Sequence, residues 1–346
     1  MNLIHQIILQ NFRNYSFRQF EFCHKINFFV GENGVGKTNL LEAISMISIS
    51  GGIKGADFND LNKDFSKPFS LGFETTIGKI GIKNNNGVKK FYNEDEGIKF
   101  SSLEEKFKII AMMPEDEFVF RASVSERRKF FDELLGRLSK NHSILLKDYK
   151  NLCSQRSKIL ADFTEQNSWL DVIEKQIAEK LVIIASNRVL LCEKLSSVMK
   201  EFESEGLHGE VVITGHLESK ILKGDFIASK EEVLLKDELR LSRTIDRITG
   251  KTLTKLERTN FDVLFKEKGL LATKCSSGEQ KKMLFSFFLA VVKLSECSII
   301  LIDEVVDKLD NNGKNLIFAE LEKLQKQVFL TGTERLNSVN CNFIFI

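Results

Sequence analysis

The stretch Gly31-Glu32-Asn33-Gly34-Val35-Gly36-Lys37-Thr38 has the residue types and spacing to bind phosphate. Gly31, Gly34 and Gly36 allow backbone angles and close approaches that a Cβ forbids, so successive N–H groups can ring phosphate oxygens at a helix N-terminus. Lys37 would set its ammonium on the β- and γ-phosphates, and the Thr38 hydroxyl would ligate Mg²⁺. The apolar run at residues 26–30 reads as a buried strand, and Leu40, Ala43, Ile44 and Ile47 recur at helical spacing behind the loop. A strand before and a helix after are what a phosphate loop requires, and they weigh against a plain glycine-rich turn with a surface lysine.

Such a loop specifies only a nucleoside triphosphate; two segments near the other end of the chain narrow it. Residues 298–304 form an apolar strand ending in Asp303 and Glu304. Asp303 would hold Mg²⁺ through water, and Glu304 would orient or deprotonate an attacking water. A core strand that happens to end in a charged turn stays open as the bland reading. Upstream, Cys275-Ser276-Ser277-Gly278-Glu279-Gln280 leads into an apolar helix at 283–294. A Ser-Gly pair at a helix start offers a hydroxyl, free amides and the positive end of the dipole to an anion. Ser277 with Gln280 three residues on is equally a capping box.

Taken in order, the loop, the Ser277-Gly278 motif, the strand with Asp303-Glu304 and then Asp307-Lys308-Leu309-Asp310 resemble the head of ABC-type ATPases. Adding Leu9-Gln10-Asn11-Phe12-Arg13-Asn14-Tyr15, Met113-Pro114-Glu115-Asp116 and Arg127-Arg128-Lys129-Phe130-Phe131-Asp132 makes the chain similar to the RecF family. The resemblance spans nearly the whole chain and is densest at 9–48, 113–132 and 275–310. It departs from the family pattern at Lys255-Leu256-Glu257-Arg258-Thr259-Asn260, which keeps only the arginine, at Thr331-Gly332-Thr333-Glu334, and at Asp307-Lys308.

The resemblance implies an α/β fold: a P-loop ABC-type ATPase head with an N-terminal antiparallel sheet and a short helical, coiled-coil-like arm. It implies ATP and Mg²⁺ as cofactors. Gly31, Glu32, Asn33, Gly34, Val35, Gly36, Lys37, Thr38 and Arg13 would contact the nucleotide, and Thr38 and Asp303 would hold the metal. Glu304 and Lys37 would be catalytic, while Ser277, Gly278 and Gln280 would reach the γ-phosphate bound by a second protomer. Slow hydrolysis would then serve as a switch on an ATP-dependent homodimer. The function so implied is ATP-dependent binding of single-stranded or gapped DNA in recombinational repair. With RecO and RecR it would promote RecA loading, replication recovery and the SOS response to DNA damage. Another SMC/Rad50-like DNA-maintenance or transport ATPase is the alternative, and a phosphotransferase using the same loop a further one.

These groups need a scaffold, and the pattern supplies one. Residues 3–30 read as alternating strands, and 69–93 as short strands broken at Gly78 and at Asn84-Asn85-Asn86-Gly87, a hairpin signal. From Leu145 the seam runs Tyr149, Leu152, Arg156, Ile159 and Phe163. After a polar break it resumes at Leu170, Ile173, Ile177, Leu181, Ile184, Arg188, Leu191, Leu195, Val198 and Phe202, a helical hairpin about 50 Å long at 1.5 Å per residue. Residues 231–248 and 312–324 read as helices, and 261–265, 327–331 and 341–345 as strands. The expected division is 1–124 for the N-terminal lobe of the head, 125–205 for the arm and 206–346 for the rest of the head. The loop and Asp303 can meet only if strands 26–30 and 298–302 are neighbours in one sheet.

Composition sets the outer limits. With 346 residues, 42% of them hydrophobic, the chain can bury a large core, and its 2 prolines and lack of low-complexity tracts argue against long linkers. Apolar residues 7–9 are too few, and lack the preceding basic region, for a secretory signal; the run 283–292 is about half a membrane span. A cytoplasmic protein without a membrane partner is expected. Cys23, Cys153, Cys192, Cys275, Cys297 and Cys341 show no metal spacing with one another or with the 5 histidines, and read as reduced thiols. A net charge of +2 is no polyanion signature, so a DNA site must come from local clustering. Arg121, Arg127, Arg128 and Lys129, followed by Arg137, Lys140, Lys147 and Lys150, form the best such cluster; a solvated helix face is its plain alternative.

Overall fold

Alternation of apolar and polar residues from Ile4 onward makes the first strands half-buried: Ile7 and Leu9 point into the core, while Gln6, Ile8 and Gln10 line the other face. The structure, a computed structural model, describes residues 2–23, 25–49, 51–85, 88–93, 96–162, 167–205, 209–252, 254–304, 311–335 and 341–346. It divides into two compact units, Met1–Glu117 with Glu296–Ile346, and Phe118–Ser295. The expected Asp307–Asp310 turn and part of the 84–87 hairpin turn lie outside the described residues.

The first unit begins with β1 (Ile4–Phe12), β2 (Tyr15–Glu21), β3 (Ile26–Val30) and α1 (Lys37–Ser45). It continues with β4 (Ser70–Thr75), β5 (Gly78–Asn85), β6 (Val88–Asn93), β7 (Glu96–Gly97), α2 (Phe100–Lys106) and β8 (Ile109–Met112). The second unit contributes α3 (Val124–Leu138), α4 (Lys140–Ala161), α5 (Asn167–Met199), β9 (Glu210–Thr214), α6 (His216–Lys223), α7 (Ala228–Thr249), β10 (Asn260–Phe265), β11 (Leu270–Leu271) and α8 (Ser277–Leu294). The chain then returns to the first unit with β12 (Ile299–Ile302), α9 (Asn311–Lys323), β13 (Gln327–Gly332) and β14 (Asn342–Phe345).

In the first unit a six-stranded antiparallel sheet, ordered β2-β1-β4-β5-β6-β7, and a five-stranded parallel sheet, ordered β14-β3-β13-β12-β8, share one core. Ile7, Leu9, Leu71 and Phe73 from the first sheet pack with Phe29, Leu301 and Phe329 from the second and with Leu40, Ala43 and Ile44 of α1. Buried Gln327 ties the sheets: its amide nitrogen donates to the Ile4 and Cys23 carbonyls at 2.7 and 2.8 Å, and its oxygen accepts from Ile4 N at 2.9 Å.

The parallel sheet corrects one expectation. β3 and β12 are in one sheet but are not neighbours; β13 lies between them, paired with β3 through Val30 and Gly332 and with β12 through Ile302 and Leu330. α9 is the crossover that parallel strands need, and it delivers β13 directly beside β12. The carboxylate after β12 therefore reaches the loop after β3 from two strands away, roughly 10 Å.

In the second unit α4, α5 and α7 surround a core that includes Leu145, Tyr149, Ile177, Leu181, Ile184, Leu235 and Leu239, beside a small sheet ordered β11-β10-β9. The helical seam is as the sequence pattern indicates, apart from Phe163, which lies outside the described residues, but two of its positions are charged and fully buried. Arg156 donates to Glu174 Oε1 at 3.0 Å, Asp246 Oδ2 at 2.6 Å and the Leu239 carbonyl at 2.6 Å. Arg188 forks onto Asp132 at 2.9 and 2.6 Å, reaches Glu218 at 3.3 Å, and lies over the Phe261 ring. These networks fasten α7, α6 and α3 to the hairpin. The described residues between 209 and 295, expected in the head, fall in the same compact unit as the arm.

Candidate functional site

The turn between β1 and β2 builds the phosphate loop from outside. Arg13 takes a left-handed φ of 51°, and the next two residues face the loop: Asn14 Nδ2 donates to the Val35 carbonyl at 2.6 Å, and Tyr15 Oη to the Gly36 carbonyl at 3.1 Å. Burial pushes the Tyr15 phenol up to about 12, so it stays a proton donor. With two loop carbonyls engaged, the amides at the start of α1 are left for a ligand; Leu40 is the first to find an intrahelical acceptor, Gly36 O at 3.0 Å. Gly36 has φ 117°, and a Cβ there would fall 2.3 Å from Asn14 Nδ2, so both torsion and packing demand glycine. Glu32, Asn33 and Gly34 are exposed at the rim, Gly34 with φ 86°, and Val35 is half-buried.

Lys37 is 3% exposed. Its ammonium donates to the Gly31 and Glu32 carbonyls at 2.7 and 3.0 Å and lies 3.7 Å from Glu304 Oε1. Thr38 Oγ1 donates to Asp303 Oδ2 at 2.7 Å, across 265 positions of sequence. The loop lysine, the loop hydroxyl and both carboxylates thus share one edge of the parallel sheet, the edge at which open α/β sheets bind ligands.

Thr331, at the end of β13, joins them. Its hydroxyl donates to Asp303 Oδ1 at 2.6 Å and accepts from Glu304 N at 2.8 Å. Glu304 has a left-handed φ of 52°, strained for a residue with a side chain, and the Thr331 contact helps to hold it. Only the strand order gives Thr331 this place, although it sits in the segment where the chain departs from the family pattern. Thr331→Val keeps the shape and removes the hydroxyl. It is expected to cost about 1–3 kcal/mol, because the buried Asp303 Oδ1 and the partly buried Glu304 amide both lose this partner, read as a fall of a few degrees in the thermal midpoint.

Arg13 does not point at the loop. Its guanidinium forks onto fully buried Glu42 at 2.8 Å from both Nε and Nη2, and Nη1 donates to the Asp60 carbonyl at 3.1 Å. The Glu42 hydrogen bonds hold the guanidinium above its ordinary value. The contact implied by resemblance would require this fork to open; as built, Arg13 positions α1.

The Ser-Gly motif forms the first turn of α8, with one shift from the expectation. The capping box is Ser276 with Glu279, not Ser277 with Gln280: the Ser276 amide and hydroxyl donate to Glu279 Oε2 at 2.9 and 2.7 Å. Lys268, then Ser276, draws the Glu279 carboxyl down to about 2. Ser277 and Gly278 are thereby left exposed at the helix start. Gln280 is turned inward, donating to the Ala272 carbonyl at 2.8 Å and accepting from Arg121 Nε at 3.3 Å.

The expected basic cluster separates into two groups. Arg127 is buried and bonded to Asn260 Oδ1 at 2.9 Å and the Ala122 carbonyl at 2.6 Å; Arg128 donates to the Glu257 and Thr259 carbonyls; Arg121 holds Gln280. These arginines anchor the divergent 255–260 segment and the motif helix. Lys129, Arg137, Lys140, Lys147 and Lys150 remain exposed.

Among the described residues no group of three or more His, Cys, Asp or Glu could hold a metal by itself. Thr38 and Asp303 nevertheless supply the hard oxygen donors that Mg²⁺ takes from protein when phosphates provide the rest. No described helix is long and apolar enough to cross a membrane.

The AAA domain family model matches residues 6–328. The chain is 31% identical to the DNA replication and repair protein RecF of Rickettsia bellii (strain OSU 85-389), covering 96% of this chain and 94% of that protein. It is 30% identical to the protein of the same name from Rickettsia felis, over 96% and 93%. Among solved structures, that of the recombination mediator protein RecF-ATPrS in the RecFOR pathway aligns with a TM-score of 0.81 at 25% identity, over 100% of this chain and 96% of that one. An Smc head domain from Pyrococcus furiosus aligns at 0.54 and 15% identity, over 96% and 90%, a likeness of fold alone.

Proposed function

The chain belongs to the RecF family of DNA replication and repair proteins, and from that membership we propose that it is an ATP-dependent DNA-binding protein of recombinational repair. In this reading it acts in the cytoplasm at single-stranded or gapped DNA and, with RecO- and RecR-type mediators, promotes loading of RecA. The observation that supports it most is the meeting of Lys37, Thr38, Asp303 and Glu304 at one sheet edge, contributed by two remote parts of the chain.

Each residue has a role there. The loop amides and the Lys37 ammonium bind the β- and γ-phosphates of ATP, and the first turn of α1 adds its dipole. Mg²⁺, when bound with the nucleotide, neutralises charge developing on the phosphates, and Thr38 and Asp303 would hold it. Thr331 keeps Asp303 aimed at the metal position and fixes the Glu304 backbone. Glu304 accepts a proton from, or orients, the water that attacks the γ-phosphate. Arg13 acts at one remove, through Glu42 and α1.

Ser277 and Gly278 offer an exposed hydroxyl and free amides to the γ-phosphate held by a second copy of the chain. The triphosphate then bridges two heads, and its hydrolysis releases them. Ser277→Arg, at an exposed position clear of the capping box, is expected to leave ATP binding unchanged and to abolish ATP-promoted dimerisation in size-exclusion chromatography with light scattering. A variant that still dimerises with ATP like the parent would refute the two-headed site.

A further inference from the structure

The outer face of the six-stranded sheet carries a groove that the nucleotide site does not use. Cross-strand register places Ile8, Gly72, Gly81 and Tyr92 in one row over β1, β4, β5 and β6. The next row is Phe17, Gln10, Ser70, Lys83 and Lys90. Alternation puts both rows opposite the core residues Ile7, Leu71, Phe73, Ile80 and Ile82. The groove has a volume of about 410 Å³ and is open to solvent.

Its floor is two glycines paired directly across β4 and β5. Glycine inside a strand weakens it, so a facing pair calls for a reason. Torsion is not the reason, since neither residue has a positive φ. Packing is not the reason either: a Cβ on Gly72 would meet only Ile8 Cβ at 3.8 Å, and one on Gly81 only Tyr92 Cβ and Cδ2 at 3.9 and 4.0 Å, ordinary contacts. What the pair provides is a bare backbone surface on which a flat group can lie, walled by Ile8 and by the Tyr92 ring.

The charges identify the group. Lys83 and Lys90 are directly opposed, an arrangement that disfavours the sheet unless an anion sits between or above them. Lys83 Nζ lies 5.7 Å from the Tyr92 centroid, and Lys79, by contrast, is matched by Glu74 at 3.3 Å. Phe17, 64% exposed on the same face, offers a second ring in the lysine row. A flat floor, an aromatic wall at Tyr92 and cations with no carboxylate partner among the described residues together suit bases joined by phosphates. An apolar protein side chain filling the groove would have no use for the opposed lysines.

We propose that this face binds single-stranded DNA, one base lying on the Gly72–Gly81 floor against Tyr92, its phosphates at Lys83 and Lys90, and a further base against Phe17. The identity of the polymer rests on the DNA-repair reading above; the site itself is separate from the nucleotide loop and needs no ATP.

The test is fluorescence anisotropy of the full chain with a labelled oligothymidylate, without ATP, across salt. Gly81→Thr, which suits a strand and fills the floor, and Tyr92→Leu, which removes the ring, are each expected to weaken binding about tenfold or more. Lys83→Gln should lower the salt slope by about 1. All three variants should keep the parent's thermal midpoint and its ATP-promoted dimerisation, which separates failure of this site from failure of the ATP switch. Binding within about twofold of the parent for both Gly81→Thr and Tyr92→Leu, against an expected stacking effect of tenfold, overturns the proposal. So does an abasic oligonucleotide that binds as tightly as oligothymidylate, or thymidine monophosphate that competes at the same concentration as the oligonucleotide.

Discussion

Lys37→Met is expected to abolish ATP binding and ATP-dependent DNA binding together. Methionine fills much the same buried space, so the fold is kept: the Thr38–Asp303 and Thr331–Asp303 hydrogen bonds do not involve this side chain. The loss is the one ammonium that the Gly31 and Glu32 carbonyls hold beside the loop. Hydrogen bonds to charged groups contribute roughly 1.5–3 kcal/mol each, and Lys37 would make two, one to each of the terminal phosphates. At 1.4 kcal/mol per tenfold, that is a loss of about a hundredfold or more in affinity. Titration with a fluorescent ATP analogue reads it directly. ATP affinity within tenfold of the parent would place the nucleotide elsewhere. DNA affinity in the presence of ATP that this variant leaves equal to the parent's would break the proposed coupling.

The largest stability effect is expected at Arg156. It is fully buried and is shared by Glu174 on α5 and Asp246 on α7, with a third bond to the Leu239 carbonyl. Arg156→Met preserves bulk but leaves Asp246 a buried carboxylate without its cation, held only by the Ser242 hydroxyl at 2.6 Å, whereas Glu174 keeps Arg243 as a partner. Breaking a buried pair by removing one member costs about 3–5 kcal/mol, against about 0–1 for a surface pair. For a unit of this size the thermal midpoint should fall by roughly 10 °C. The chain's 1 tryptophan, Trp169, lies on α5, so its fluorescence follows unfolding of this unit. Lys129→Ala, which removes an exposed partner 3.8 Å from Glu133, should leave the midpoint where it is. Equal shifts for the two variants would contradict the account of Arg156 as the tie between α4, α5 and α7.

The two arginines in the helical seam mark how far periodicity can be trusted. Spacing alone places Arg156 and Arg188 on the inward face of a hairpin, and both are inward. Spacing does not say what meets their charge, because Asp246, Glu218 and Asp132 come from other helices. The basic run at 121–129 carries the same lesson. Read along the chain it is a patch of charge suited to DNA; in the fold, Arg127 and Arg128 are spent on Asn260 and on the Glu257 and Thr259 carbonyls.

What the sequence alone determined is what short segments encode. The glycines of the loop, the helix after it, the buried strand ending in Asp303-Glu304 and the helical hairpin follow from backbone sterics and from the periods of 2 and 3.6 residues. Only the tertiary structure decided that β13 separates β3 from β12, that Thr331 therefore bridges Asp303 and Glu304, and that Arg13 belongs to Glu42. Those outcomes turn on which strand edges and helix faces are buried against each other once the chain closes on itself. That competition spans the whole molecule, and no local pattern of residue types carries it.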